Sequence, residues 1–149
     1  MATFTFYDEF KRYVTEGTIV LTSGTHTFKV AFTNTAPVVA TDTVLANITE
    51  IATGGGYTTG EGGGVTLDTQ TWAETAGGSG IWQFTTADEV FTASGTVAQF
   101  RYVVLYDDTP TSPANPLIGY LDYGSAVDLT NGATFTIDVG ANGWFQLDG

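Results

Sequence analysis

The stretch from Val97 to Tyr106, VAQFRYVVLY, decides the fold. It is nearly continuous in apolar and aromatic residues, which reads as a central strand covered on both faces. The loop after it, Asp107 to Pro116 (DDTPTSPANP), is rich in proline and ends the strand. Beyond that loop, Leu117–Tyr123, Ala126–Leu129, Thr134–Val139 and Trp144–Leu147 read as a meander. Its Asn131-Gly132 and Asn142-Gly143 connectors are strong tight-turn signals.

Working back from Val97, short strands are expected at Val90–Ala93, Ile81–Thr85, Gln70–Ala73 and Val65–Leu67. The run from Gly54 to Gly64, GGGYTTGEGGG, reads as a mobile surface loop. It lacks the GK[ST] ending and the following helix of a phosphate loop. Val44–Ile51 is compatible with a strand or a helical turn. Thr25–Phe32 alternates, with His26, Phe28, Val30 and Phe32 on one face, and Thr18–Leu21 reads as another short strand. Ahead of Gly17, Phe6, Phe10, Tyr13 and Val14 recur at helical spacing, so a short helix is expected over about residues 5–16. Asp8 and Glu9 near its start and Lys11 and Arg12 nearer its end suit the helix dipole.

Eight to ten short strands with frequent turns predict a mainly β fold. The expected architecture is an antiparallel β-sandwich, jelly-roll-like, or a barrel, with a short N-terminal helix. No internal repeat or domain boundary appears, so residues 1–149 are read as one domain, with the β part spanning about 18–149. A chain of this length buries roughly 70% of its unfolded surface and can support its own core.

Composition narrows the function. Four Lys and Arg stand against 16 Asp and Glu, for a formal net charge of -12. Nucleic-acid binding needs cations to neutralise phosphates. Here Lys11, Arg12 and Lys29 lie near the start and only Arg101 lies elsewhere, so no basic stripe can form. The acidic balance also disfavours anionic membranes, and no apolar run reaches the roughly 18–20 residues that span a bilayer. The opening MATFTFYDEFKRY lacks the basic start, apolar stretch and cleavage site of a secretory signal, so synthesis in the cytoplasm is expected. With no cysteine, disulfides, thiolate metal sites and a cysteine nucleophile are excluded.

The remaining chemistry is sparse. His26 is the single histidine, and it shares a strand face with Phe28 and Val30, as a satisfied, partly buried histidine would. The serines sit in turn-like sequence without a nucleophile elbow, and a zinc site needs more His or Cys than the chain has. Asp107 and Asp108 could ligate calcium with nearby carbonyls, but the EF-hand spacing is missing. Glu74 with Asp88 or Glu89 could form a glycosidase pair, though nothing in the spacing selects them. Trp72, Trp82, Trp144 and the seven tyrosines could stack sugars or serve as core. The expectation is a protein that is not an enzyme and has no catalytic, cofactor or metal residues.

The order of features resembles a known group. An aromatic N-terminal segment is followed by LTSGTHTFKVAFTNTAPV, TDTVLANITEI, the glycine loop, FRYVVLYDDTPTSPANPLIGYLDYGS and an NGATFTIDV-type strand. Over nearly the whole chain, and most specifically over Phe100–Ser125, this resembles small structural proteins encoded in the virion gene blocks of tailed bacteriophages and prophages. The resemblance implies a capsid decoration or cement protein on the outer surface of the head, made in the host cytoplasm. Its partner would be the major capsid protein, and it would act as a homo-oligomer, a dimer or trimer. A tail component and a glycan-binding module are the alternatives. Phe6, Tyr7, Phe10 and Tyr13 of the N-terminal helix are the expected docking residues, unless that helix caps the protein's own sheet.

Overall fold

The computed structural model describes residues 2–75 and 78–148. The two terminal residues and residues 76–77 of the expected 1–149 domain lie outside them. The described chain is mainly β and antiparallel, as predicted. Its elements in order are β1 (Thr3–Phe6), α1 (Phe10–Thr15), β2 (Phe28–Thr33), a 3-10 turn (Leu45–Asn47), β3 (Val65–Thr66) and β4 (Thr71–Glu74). There follow β5 (Trp82–Thr85), β6 (Glu89–Thr92), β7 (Val97–Asp107), β8 (Leu117–Leu129), β9 (Thr134–Ile137) and β10 (Phe145–Leu147). They form a five-stranded sheet in the order β1-β8-β7-β2-β3, a three-stranded sheet β10-β5-β4 and a two-stranded sheet β6-β9.

The stretch around Val97–Tyr106 becomes β7, flanked by β8 and β2. Its alternation sorts the side chains. Val103 and Leu105 enter the main core, and Val104 and Tyr106 enter a second cluster with Tyr7, Ala31, Leu45 and Leu117. Both faces are therefore covered over its C-terminal half, which explains the lack of polar residues there. Toward the N-terminal end, Ala98 and Gln99 are exposed and only Val97 and Phe100 are buried.

The main core lies between the large sheet and the two small ones. Phe28 meets Phe84 of the three-stranded sheet at 4.9 Å between ring centroids. Phe32 meets Phe91 and Phe135 of the two-stranded sheet at 5.5 and 5.7 Å, and stacks on Phe100 at 4.3 Å. Burying rings of this size supplies most of the driving force for joining the sheets.

Two predicted strands, Leu117–Tyr123 and Ala126–Leu129, are one 13-residue strand, β8, with a bulge. Tyr102 pairs with Asp122 and Phe100 with Val127, so the extra residues of β8 loop out between them. Gly124 sits in this bulge at φ +79, a conformation that suits glycine. The Asp122 carboxylate accepts the Gly124 N–H at 2.8 Å and both arms of Arg101 at 2.8 and 3.0 Å, which fixes the bulge.

Two expectations need correction. The N-terminal helix does not begin near residue 5. Thr3-Phe4-Thr5-Phe6 alternates with period two and pairs antiparallel with Asp122–Gly119 of β8, so this segment is an edge strand. The helix is only Phe10–Thr15, held by Arg12 bridging Glu9 and Glu16 and stopped at Gly17, φ +78, as expected. Thr18–Leu21 forms no strand.

The glycine loop is tethered to the fold. β3 pairs only with Lys29 and Val30, leaving the edge of β2 open at Phe32 and Thr33. The segment 49–60 completes that edge. Ile51 N–H donates to Phe32 O, Thr33 bridges Glu50, and the Tyr57 hydroxyl accepts the Phe32 N–H at 3.0 Å. Tyr57 is 1% exposed, stacks on Phe32 at 5.1 Å, and donates its own proton to Glu50 Oε1 at 2.6 Å. Burial and the neighbouring carboxylate push its ionisation well above the usual phenol range.

Candidate functional site

The three-stranded sheet carries the candidate contact surface. Register aligns Phe145 with Phe84 and Trp72, and Leu147 with Trp82 and Glu74. Side chains two apart on a strand share a face, so Trp82 and Leu147 lie on the same face as the core residues Phe84 and Phe145. They lie past the rim of the core, where Trp82 is 43% and Leu147 37% exposed. Trp72 leans on Trp82 at 5.8 Å.

The Phe145 ring links this rim to the N-terminal elements. It meets Phe6 at 5.0 Å and Phe10 at 5.4 Å. Between α1 and β10 lies a groove of about 250 Å³, lined by Phe6, Phe10, Lys11, Val14, Thr15 and Leu147. An apolar surface therefore runs from α1 across Leu147 to Trp82. Lys11 stands exposed at its edge. The other three cations are paired, Arg12 with Glu9 and Glu16, Lys29 with Asp108 and Arg101 with Asp122, and Lys11 has no ion pair among the described residues.

The four expected docking residues separate. Phe6 is half-buried and forms a groove wall, and the buried Phe10 closes its floor. Tyr13, 2% exposed, belongs to the main core. Tyr7 points to the opposite face of the large sheet, at 0% exposure, and its hydroxyl has no protein partner. The two tyrosines thus anchor the N-terminal elements to the protein's own core and cannot face a partner. Leu147, Trp82 and Val14 complete the surface. Sequence reading names Val14 only for its helical spacing and Trp82 only as a sugar-stacking or core aromatic, and it passes over Leu147, because each lies in a short segment that also supplies core residues.

The other candidate groups are committed elsewhere. Asp107 and Asp108 diverge, as successive strand residues do. Asp107, 0% exposed, faces inward and meets His26 Nδ1 at 2.5 Å through Oδ2, while Oδ1 accepts the Thr109 N–H. Burial pushes the Asp107 carboxyl above its ordinary range, and the His26 and Thr109 hydrogen bonds oppose that shift. Asp108 faces Lys29 at 3.4 Å. No group of three or more His, Asp or Glu suited to a metal occurs among the described residues. Glu74 accepts the Gly80 N–H and Asp88 the Val139 N–H, each bracing a separate connection. Trp144 is buried, with its indole N–H donated to Thr86 Oγ1 at 2.9 Å. Among the described residues no helix is long and apolar enough to cross a membrane.

No protein-family model matches the chain, and no curated protein or solved structure matches it either.

Proposed function

We propose that this protein is a structural component of a tailed-phage particle, specifically a decoration protein that binds the outside of the head and bridges major capsid subunits. The observation that supports this reading most is the apolar surface running from the α1 groove over Leu147 to Trp82, on a chain of net charge -12. A contiguous apolar surface rimmed by polar residues suits protein contact, and the acidic balance keeps the docking protein away from the packaged genome. Lys11, beside the groove, suits a capsid segment that presents an apolar side chain next to a carboxylate. The resemblance of Phe100–Ser125 to virion structural proteins points the same way.

A shell presents many copies of one site. A dimeric or trimeric decoration protein can therefore hold through several modest contacts at once. The protein is made in the host cytoplasm and reaches its place during assembly. Cryo-electron microscopy of the particle from the phage that encodes it tests this reading. Density for this chain on the outer head surface is expected, and density confined to the tail overturns the decoration role in favour of a tail component.

A further inference from the structure

Three connections meet on the other side of the large sheet from the α1 groove. They are the 3-10 turn with its flank up to Glu50, the glycine loop at Gly60 and Glu61, and the end of the proline-rich loop at Ala114 and Asn115. Leu45 and Ile48 pack there with the second cluster, whereas Phe6 and Phe10 of the α1 groove pack with the main core. The three connections enclose a cleft of about 260 Å³. Small-molecule clefts usually run to roughly 300–1,000 Å³, so this one is sized for a single side chain. It shares no residue with the α1 groove and does not depend on the capsid reading.

Glu50 is built into this cleft. Its Oε1 accepts the Tyr57 hydroxyl at 2.6 Å and its Oε2 the Gly60 N–H at 2.9 Å, which fixes the carboxylate and leaves each oxygen a free lone pair. Glu61 stands exposed beside it on the glycine loop. Neither glutamate has an ion pair among the described residues, and no Lys or Arg lines the cleft. Asn115 is an independent sign of a ligand. It is 6% exposed, and its backbone is committed, the N–H to Pro110 O and the carbonyl to the Leu45 N–H. Its side-chain amide makes no hydrogen bond among the described residues, yet it is not one of the sealed orphan groups, which there are the Tyr7 hydroxyl and Gln70 Nε2. The amide is therefore reached from outside, at the cleft that Asn115 lines. A polar side chain so deeply placed ordinarily has a partner.

The wall chemistry selects the ligand. Two carboxylates and an amide oxygen call for a cation that carries N–H donors, and their charge disfavours phosphate, sulfate and carboxylates. The rest of the wall, Leu45, Ala46, Ile48 and Ala114, is apolar. Calcium takes about six to eight oxygens, which such a wall does not supply, and no group of three or more His, Asp or Glu suited to a metal occurs among the described residues. A basic side chain matches both halves, with its methylene stem against the apolar wall and its charged head at Glu50, Glu61 and Asn115 Oδ1. We propose that this cleft takes a lysine or arginine side chain of a partner protein. The net charge of -12 steers such a partner toward it.

The test uses the full chain, isotope-labelled, and nuclear magnetic resonance at physiological salt. Nα-acetyl-arginine and Nα-acetyl-lysine methylamides are titrated, with Nα-acetyl-norleucine methylamide and calcium chloride as controls. At least one basic probe is expected to give saturable shifts centred on the Asn115 side-chain amide and the Gly60 and Glu61 backbone amides. Glu61→Gln, exposed and outside the core, is expected to weaken that binding about threefold, the loss of one solvent-screened charge partner. Ala46→Lys, on the exposed side of the 3-10 turn, places a basic side chain at the cleft from within the chain and is expected to abolish the shifts. No saturable shift with either basic probe overturns the proposal. So do equal binding of the norleucine probe, saturation by calcium in their place, and shifts scattered over the acidic surface. An affinity unchanged in Glu61→Gln overturns it too.

Discussion

Removing one oxygen from Tyr57 tests how the glycine loop is held. In Tyr57→Phe the ring keeps its stack on Phe32, 5.1 Å away, and the core loses no carbon. Two hydrogen bonds disappear, from the Phe32 N–H at 3.0 Å and to Glu50 Oε1 at 2.6 Å. Glu50 is half-buried and still accepts the Gly60 N–H, so water recovers part of its loss. The Phe32 N–H lies in a fully buried part of β2, where an unmatched donor costs about 1–3 kcal/mol. The expected total is about 2 kcal/mol, which lowers the urea midpoint by roughly 1 M at an m-value of about 2 kcal/mol/M. Tyr57→Ala adds a cavity beneath the loop and should cost about 4 kcal/mol. Urea unfolding followed by tryptophan fluorescence gives the stability change, and hydrogen exchange reports the Phe32 amide directly. A Tyr57→Phe midpoint within about 0.2 M of the parent, with Phe32 protection unchanged, would refute the tether.

Three further perturbations probe other parts of the structure. Asp107→Asn reports the buried carboxylate. Because burial raises the Asp107 pKa in the fold, its stabilising contribution is complete below the ordinary 3.8 and fades as pH rises through the folded value, so parent and variant should converge in stability over that rise. A gap that widens with pH contradicts the assignment. Arg101→Ala breaks the solvent-screened pair at the β8 bulge and should lower stability only slightly. Arg101 lowers the Asp122 pKa, so this cost is present above the ordinary 3.8 and vanishes as pH falls through the folded value, which denaturation at several pH values will show. Gly119→Ala places a methyl against the Phe4 ring and the Thr5 carbonyl, and it should cost about 1–3 kcal/mol with protection lost first in β1.

Much of the fold was legible because period and turn chemistry are local. The run around Val97–Tyr106 announced a covered central strand, and Asn131-Gly132 marked the β8–β9 turn. The errors arose where two periods fit the same residues. Phe6, Phe10 and Tyr13 satisfy a helical spacing, yet Phe4 and Phe6 also satisfy a strand. The free edge of β8 decided between them, and that edge is invisible in sequence. The gap at Tyr123–Ala126 looked like a boundary because Gly124 and Ser125 are turn residues, while Arg101 from the neighbouring strand made it a bulge. Tyr57 looked like one aromatic in a loop, because its partners Phe32 and Glu50 are set by tertiary contact. The contact surface was half visible. Phe6 and Phe10 were singled out, but Trp82 and Leu147 meet them only through the register of β5 with β10.

The proposed decoration role is tested most directly by a binding titration of the purified protein against undecorated heads of a tailed phage that carries its gene. Saturable binding at a fixed stoichiometry is expected. Leu147→Asp should weaken it at least roughly 30-fold, equivalent to about 2 kcal/mol for one apolar side chain withdrawn from an interface, while leaving the fold's thermal midpoint intact. Heads that take up no protein, or that bind Leu147→Asp as tightly as the parent, would contradict the account.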